Sequence, residues 1–213
     1  MSDAPTTVMT RLRDETRDLH ASAEGKAFQR RMLSGELSRE EYVRWLEQML
    51  QVHHALEAHL RRLWSSDPDF AALREEQFQE PYLLADLAAL DGASGSHAPL
   101  PATAALIADI ERAGGETPLA LLGYHYVLEG SNNGNRFIAR RLAPALGLVH
   151  GEGDRYLDPY GEAQPALWAR FKQDMEAVGF SSAQADLLVA AARRMFAGIG
   201  AISDELAEAP PAT

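Results

Sequence analysis

Apolar positions recur along this 213-residue chain with a period near 3.6 almost from end to end, the spacing that gathers them on one face of an α-helix. Val8, Leu12, Leu19 and Ala23 mark one face of a first predicted helix, Thr7 to Glu24. A short helix from Ala27 to Ser34 follows and is stopped by Gly35. Ser38 then opens the longest element, because Ser38-Arg39-Glu40-Glu41 reads as a capping box. From Tyr42 onward, Trp45, Leu46, Met49, Val52, Leu56, Leu60 and Leu63 keep the helical period to about Trp64, and Asp67-Pro68 breaks it.

The second half reads the same way. Helices are predicted over Phe70 to Phe78, Tyr82 to Asp91 and Thr103 to Ala113, with a Gly/Ser/Pro-rich loop from Gly92 to Pro101 and a stop at Gly114-Gly115. Thr117-Pro118 places proline at a first helical position and starts a helix running towards Leu142. A loop over Gly151 to Gly161 precedes two last helices, Pro165 to Val178 and Ser182 to Glu208. Residues 1–6 and 209–213 are expected to be flexible. With no alternating strand pattern, no repeat and no low-complexity block, the chain is expected to form one all-α domain over residues 1–213.

Composition narrows the function classes. The formal net charge is −11, so a sequence-independent nucleic-acid binder, which needs a concentrated positive stripe, is not expected. There is no cysteine, which removes disulfides, thiolate nucleophiles and cysteine-held metal clusters. Met1 to Thr10 lacks the apolar run of a secretory signal, and no stretch of about 18 apolar residues exists to span a membrane. The expected address is the cytoplasm.

Four constellations carry candidate chemistry. On the first helix Arg13, His20 and Glu24 fall within roughly 40° of one another on a helical wheel. On the helix alone His20 reads first as a boundary histidine in a solvated ion pair, and otherwise as a metal or heme-iron ligand with Glu24 fixing its tautomer. Gly130-Ser131-Asn132-Asn133-Gly134-Asn135 interrupts a helical pattern with poor formers, at about 4 kcal/mol relative to alanine. A kink, the close approach of a flat ligand to bare backbone, a turn between two helices, or a glycine packing seam would each explain it. Trp168, Arg170, Phe171 and Lys172 lie on a late helix, and His53, His54, Glu57 and His59 cluster on the long one at spacings able to chelate a metal or to face water. No P-loop, dinucleotide fingerprint or nucleophile elbow is present.

Taken together these pieces resemble the heme oxygenase family, whose members open heme to biliverdin. The stretch Leu12 to Glu57, with Leu19-His20-Ala21-Ser22-Ala23-Glu24 at its centre, is similar to the family's N-terminal signature carrying the proximal histidine. Tyr126 to Gly134, YVLEGSNNG, is similar to its distal-helix motif. The resemblance implies a helical bundle with heme held between a proximal N-terminal helix and a kinked distal helix. By position it implies His20 as the iron ligand, Glu24 as its partner, and Gly130 and Gly134 as the distal glycines. Arg13 and Lys172 would be propionate-binding cations, with Tyr124 or Tyr126 as a propionate-contacting tyrosine.

The chain departs from the motif in three places that bear on chemistry. Ser131 stands where some members carry aspartate, Asn133 replaces the usual leucine, and Asn135 replaces a second adjacent glycine. Trp168 stands where some members carry another cation. The resemblance implies oxygen- and reductant-dependent cleavage of heme to biliverdin, carbon monoxide and ferrous iron, with heme as both cofactor and substrate. Ser131 and Asn135 then belong with Gly130 and Gly134 to the oxygen-handling wall. Electrons would come from an external donor (ferredoxin, flavodoxin or a reductase), and the product would pass to a bilin-accepting protein in some settings. The alternatives are a non-catalytic heme-binding or sensor protein on the same fold, and a diiron oxidase on the same scaffold using His53 or His54.

Overall fold

Ser38 caps the long helix as its sequence predicts: its side chain accepts from Glu41 N, and the Glu41 carboxylate returns a bond to Ser38 N at 2.8 Å. The structure, a computed structural model, describes residues 7–90 and 98–208. The expected flexibility of residues 1–6 and 209–213 lies outside them, as does most of the 92–101 loop. The described residues form α1 (Val8–Glu15), α2 (Arg17–Glu24), α3 (Ala27–Ser34), α4 (Arg39–Trp64), α5 (Glu80–Ala89), α6 (Pro101–Glu116), α7 (Leu121–Ala145), α8 (Gln164–Val178) and α9 (Ser182–Glu208). No strand occurs among them, so the all-α expectation holds.

The architecture is built around α7 and α9, which cross in the most intimate contact of the fold. α4 lies beside them, with α5 and α6 against its flank, while α1, α2 and α3 run across α9. One core joins the three long helices, with Leu46, Val52, Leu56 and Leu60 from α4, Leu121, Leu122 and Leu142 from α7, and Leu188, Ala192 and Met195 from α9. Their 3.6-residue spacing is the face predicted from the pattern.

Several expected elements are corrected. The first helix is two: Thr16 leaves helical geometry (φ −116°, ψ 1°) and its hydroxyl donates to Leu12 O at 2.6 Å. A threonine side chain that satisfies the preceding turn competes with continuation of the helix. α1 buries Val8, Met9 and Leu12, whereas α2 buries no residue, and Leu19 and Ala23 are only half-buried. The expected helix over 70–78 is instead two 3₁₀ turns, Pro68–Phe70 and Glu75–Gln77. Asp69 N–H donates to the Asp67 carboxylate and Arg74 N–H to the Gln77 side-chain oxygen, which closes those turns where no α-helical ladder forms. α6 runs through Gly114-Gly115 to Glu116, because Gly114 admits the His59 ring, which a methyl there would strike at 2.5 Å. α7 passes unbroken through Gly130 to Asn135, so the alternative of a turn between two helices is excluded. No helix among the described residues is long and apolar enough to cross a membrane.

Candidate functional site

A cleft opens where α2 passes α7, floored by α9 and closed at its ends by α4 and α8. It comprises three adjoining cavities. A central one of about 380 Å³ is lined by Arg13, Thr16, His20, Tyr126, Gly130, Ser131, Trp168 and Phe196. It shares His20, Val127, Ser131 and Phe196 with an inner cavity of about 410 Å³, whose other walls are Glu24, Trp45, Met49, Gly134, Asn135 and Tyr156. It shares Arg13, Tyr126 and Trp168 with an outer cavity of about 850 Å³ that ends on Lys172 and Glu176. Each volume falls in the range typical of small-molecule sites, about 300–1,000 Å³.

One wall is set by α2. His20 lies edge-on to Phe196, ring centroids 5.5 Å apart, with Nδ1 3.5 Å from the Glu24 carboxylate one turn on. Its side chain is 56% exposed, so the other ring nitrogen is available to a ligand in the cleft. The break at Thr16 means that Arg13 does not share a continuous wheel with His20, yet both line the central cavity. Arg13 is paired with Asp14 at 2.9 Å, and that hydrogen bond raises its pKa further above the ordinary range.

The facing wall is α7, and its sequence explains its bareness. Gly130 and Gly134 are one turn apart and both line the cleft. A methyl on Gly130 would press on Trp168 at 3.3 Å, whereas one on Gly134 would meet nothing within 4 Å. The poor helix formers between them are held by their own side chains. Ser131 Oγ donates to Leu128 O at 2.7 Å, Asn133 Nδ2 to Gly130 O at 2.9 Å, and Asn135 Nδ2 to Ser131 Oγ at 3.2 Å. Gln164 donates to Asn133 from α8 at 3.2 Å. These bonds offset the weak propensity of the segment, at roughly 1 kcal/mol each.

Cations collect at the outer end. Arg13 and Lys172 stand on opposite sides of the outer cavity, with Lys172 Nζ 5.9 Å from the Trp168 ring centroid. Of the two candidate tyrosines the structure brings Tyr126 to the cleft and not Tyr124. Burial raises the Tyr126 hydroxyl, and Arg13 is a charge acting on it in the opposite sense. Tyr124, two residues and about 200° away on the helix, is buried among Arg194, Asp109 and Arg112 and lines none of the three cavities.

The histidine cluster of α4 does not converge. His54 turns to Glu80 at 2.7 Å and His59 to Glu111 at 2.8 Å, while His53 alone is buried, against Glu57 and Tyr156. Among the described residues no group of three or more His, Cys, Asp or Glu side chains is placed to hold a metal, and the diiron alternative has no ligand set there. Sequence reasoning missed Tyr156, Phe196, Trp45 and Met49 as cleft walls. Trp45 and Met49 sit on the apolar stripe and read as core, and Tyr156 lies in an irregular loop where periodicity carries no signal.

The sequence profile of the heme oxygenase family matches residues 6–205. The chain belongs to the heme oxygenase family. A comparison with curated proteins finds no match. Among solved structures it is similar to the heme oxygenase from Leptospira interrogans, with a TM-score of 0.86 at 24% identity over 93% of this chain and 99% of that one. It is also similar to heme oxygenase-1 from the cyanobacterium Synechocystis sp. PCC6803 in complex with heme, with a TM-score of 0.85 at 20% identity over 94% and 92%. A domain of unknown function with a heme oxygenase-like fold from Shewanella denitrificans matches with a TM-score of 0.73 at 16% identity over 96% and 94%. At these identities the structural likenesses speak for the fold, and the family membership rests on the sequence profile.

Proposed function

We propose that this heme oxygenase family member binds heme in the cleft between α2 and α7 and cleaves it oxidatively to biliverdin, carbon monoxide and ferrous iron. The observation that carries the reading is that His20 on one wall faces the bare backbone of Gly130 and Gly134 on the other, with Arg13 and Lys172 at the outer end. A flat, apolar, dianionic macrocycle requires that combination: one nitrogen donor, a thin opposing wall, and cations at one edge. The residues fit the group, since the helix face at Gly134 is open where any larger side chain would stand in the cleft.

In this account His20 would hold the iron through its free ring nitrogen, and Glu24, 3.5 Å from Nδ1, would accept the other N–H and fix the tautomer. Arg13, Lys172 and Tyr126 orient the carboxylate edge and set which way round the ring enters. When bound, heme supplies an iron that binds and reduces oxygen and a porphyrin ring that is itself oxidised. Gly130 and Gly134 leave the α7 wall of the cleft without side chains at their positions, so they would let a flat ring approach the α7 backbone closely. Ser131 and Asn135 provide the polar groups of the space beside it. Trp45, Met49 and Phe196 keep it dry. Electrons come from an external donor, a ferredoxin, flavodoxin or reductase, because the chain carries no flavin or nicotinamide fingerprint. A bilin-accepting protein is a further proposed partner, and the proposed place of action is the cytoplasm, where such donors operate.

A second reading, heme binding without turnover, is favoured by one observation: Ser131 Oγ accepts from the Asn135 amide at 3.2 Å while its own proton goes to Leu128 O at 2.7 Å, so the hydroxyl is engaged on both counts within α7. Hemin titration separates binding from its absence. A one-to-one complex with a Soret band that is lost or displaced in His20→Ala supports the site, and a variant spectrum identical to wild type contradicts it.

A further inference from the structure

His20 sits on a helix that the fold does not hold by burial. α2 buries no residue, and Leu19 and Ala23 are only half-buried. Its ends are tied to α9 by exposed ion pairs. Arg193 bonds the Asp18 carboxylate at 3.2 and 3.3 Å and also the Glu15 carbonyl, and Lys26 reaches Asp204 at 2.5 Å. Pairs of this kind add little stability, but they place the two ends. Between them Arg193, Phe196, Gly200 and Asp204, at i, i+3, i+7 and i+11, form one stripe of α9 that runs along α2.

Within that stripe Phe196 is the bulky group. A methyl on Gly200 would meet only Lys26 Cε, at 3.4 Å. The space of about 270 Å³ between the two helices is lined by Leu19, Ala23, Ala197 and Gly200, with Phe196 as its aromatic wall. Phe196 also lines the central and inner cavities, so its ring stands where all three spaces meet. There it faces His20, with centroids 5.5 Å apart and planes at 67°, inside the range of about 4.5–7 Å for T-shaped pairs.

Two contacts compete to orient the imidazole, whose rotation about χ2 is broad and sets no plane by itself. Glu24 is 3.5 Å from Nδ1, beyond the roughly 2.7–3.2 Å of an N–H···O bond, and its side chain is 71% exposed. A carboxylate that far into water selects which nitrogen carries the proton and leaves the plane open. Phe196 belongs to α9, where the adjoining Met195 is fully buried, so it keeps its place when α2 shifts. Turning the imidazole either way drives an edge into the phenyl ring.

We infer that Phe196 is a positioning residue that sets the plane of the His20 imidazole. The inference rests on the heme reading, in which His20 holds the iron. The plane of an axial imidazole selects one of two perpendicular directions across the porphyrin and makes its pyrrole pairs electronically unlike. Glu24 and Phe196 then divide the work, the carboxylate choosing the tautomer and the phenyl ring the plane. Phe196 acts through His20.

The test uses the full chain loaded with ferric hemin and saturated with cyanide as a probe, as wild type, Phe196→Leu, Phe196→Met, Phe196→Tyr and Glu24→Gln. Leucine and methionine keep most of the bulk without the ring, and tyrosine keeps the ring. Proton NMR reads the paramagnetically shifted heme methyl resonances, whose order and spacing follow the plane of the axial imidazole. The ring-current change from losing one phenyl is small beside that spread. The expected result is a Soret band in all five proteins, with the methyl pattern displaced in the same sense by leucine and by methionine. Both substitutions weaken hemin affinity by about two- to tenfold. Phe196→Tyr and Glu24→Gln keep the wild-type order. A wild-type pattern in the leucine and methionine variants overturns the inference and leaves the heme reading standing. A displacement as large in Phe196→Tyr assigns the effect to packing, and one as large in Glu24→Gln gives the plane to the carboxylate; either overturns it. A wild-type chain with no Soret band, or one whose spectrum His20→Ala leaves unchanged, overturns the heme reading itself, and the inference falls with it.

Discussion

Gly123 of α7 lies directly beneath the main-chain carbonyl of Leu188 in α9, so close that a methyl group on it would overlap that oxygen and press on Ala191 at 2.8 Å. Neither obstacle is the end of a flexible side chain. The glycine sets how near α7 and α9 approach, and therefore how α9 supports α2 and the Phe196 floor of the cleft. Gly123→Ala is expected to destabilise the chain by at least about 2 kcal/mol. Urea unfolding followed by circular dichroism measures it, and a loss below about 0.5 kcal/mol contradicts this view of the crossing.

His20 should behave in the opposite way. It is mostly exposed, on a helix that buries no residue, so His20→Ala leaves apo stability within about 0.5 kcal/mol of wild type. The same substitution weakens hemin binding by about tenfold or more and removes the axial-imidazole signature. Unchanged affinity with an unchanged spectrum would show that another group holds the iron.

Gly134 separates stability from function on a single residue. Its α-carbon faces open space in the middle of a helix, where alanine is favoured over glycine by about 1 kcal/mol. Gly134→Ala is therefore expected to raise apo stability by about that amount while weakening hemin affinity, because the methyl enters the cleft. Urea melts and hemin titration of the same preparation check both halves. Increased stability with full affinity would mean the ring does not approach this face of α7.

Glu129 provides a pH test on the reverse face of α7. Burial raises its carboxyl from 4.5 to about 7, against a partly opposing hydrogen bond from Tyr160 at 2.9 Å. The native state thus holds a proton that the unfolded chain releases, and this contribution falls as pH rises from 4.5 to about 7. Asp86, raised by burial to about 6, acts in the same sense, while His125, lowered to about 4, acts in the opposite one. The comparison is therefore made against Glu129→Gln. The variant should gain on wild type across that window by a difference on the order of 3 kcal/mol. A stability difference that stays flat with pH would place Glu129 in contact with water.

The core stripes of α4, α7 and α9 were legible because each repeats over many turns, and Ser38 with Glu41 and Gly35 mark their own boundaries chemically. Thr16 was not legible as a break, since one hydroxyl bond to Leu12 decides it and threonine sits in many helices. Gly114 misled for a related reason: it reads as a stop, but its partner is His59, more than fifty residues away. Within the site, His20, Gly130 and Gly134 stood out because each violates its local pattern. Tyr156 and Phe196 did not, because a cleft wall is defined by what the fold brings opposite it. The choice between Tyr124 and Tyr126 likewise required the phase of α7 against the cleft, which the sequence leaves open.

The central claim is turnover in the cleft. Purified protein is loaded with hemin, given ascorbate under air, and followed by its visible spectrum. The account predicts that the Soret band decays while the broad red absorption of biliverdin grows. A Soret band that forms and then persists unchanged under reductant and oxygen would contradict it and leave a heme-binding protein in which Asn135 and Ser131 have closed the oxygen space.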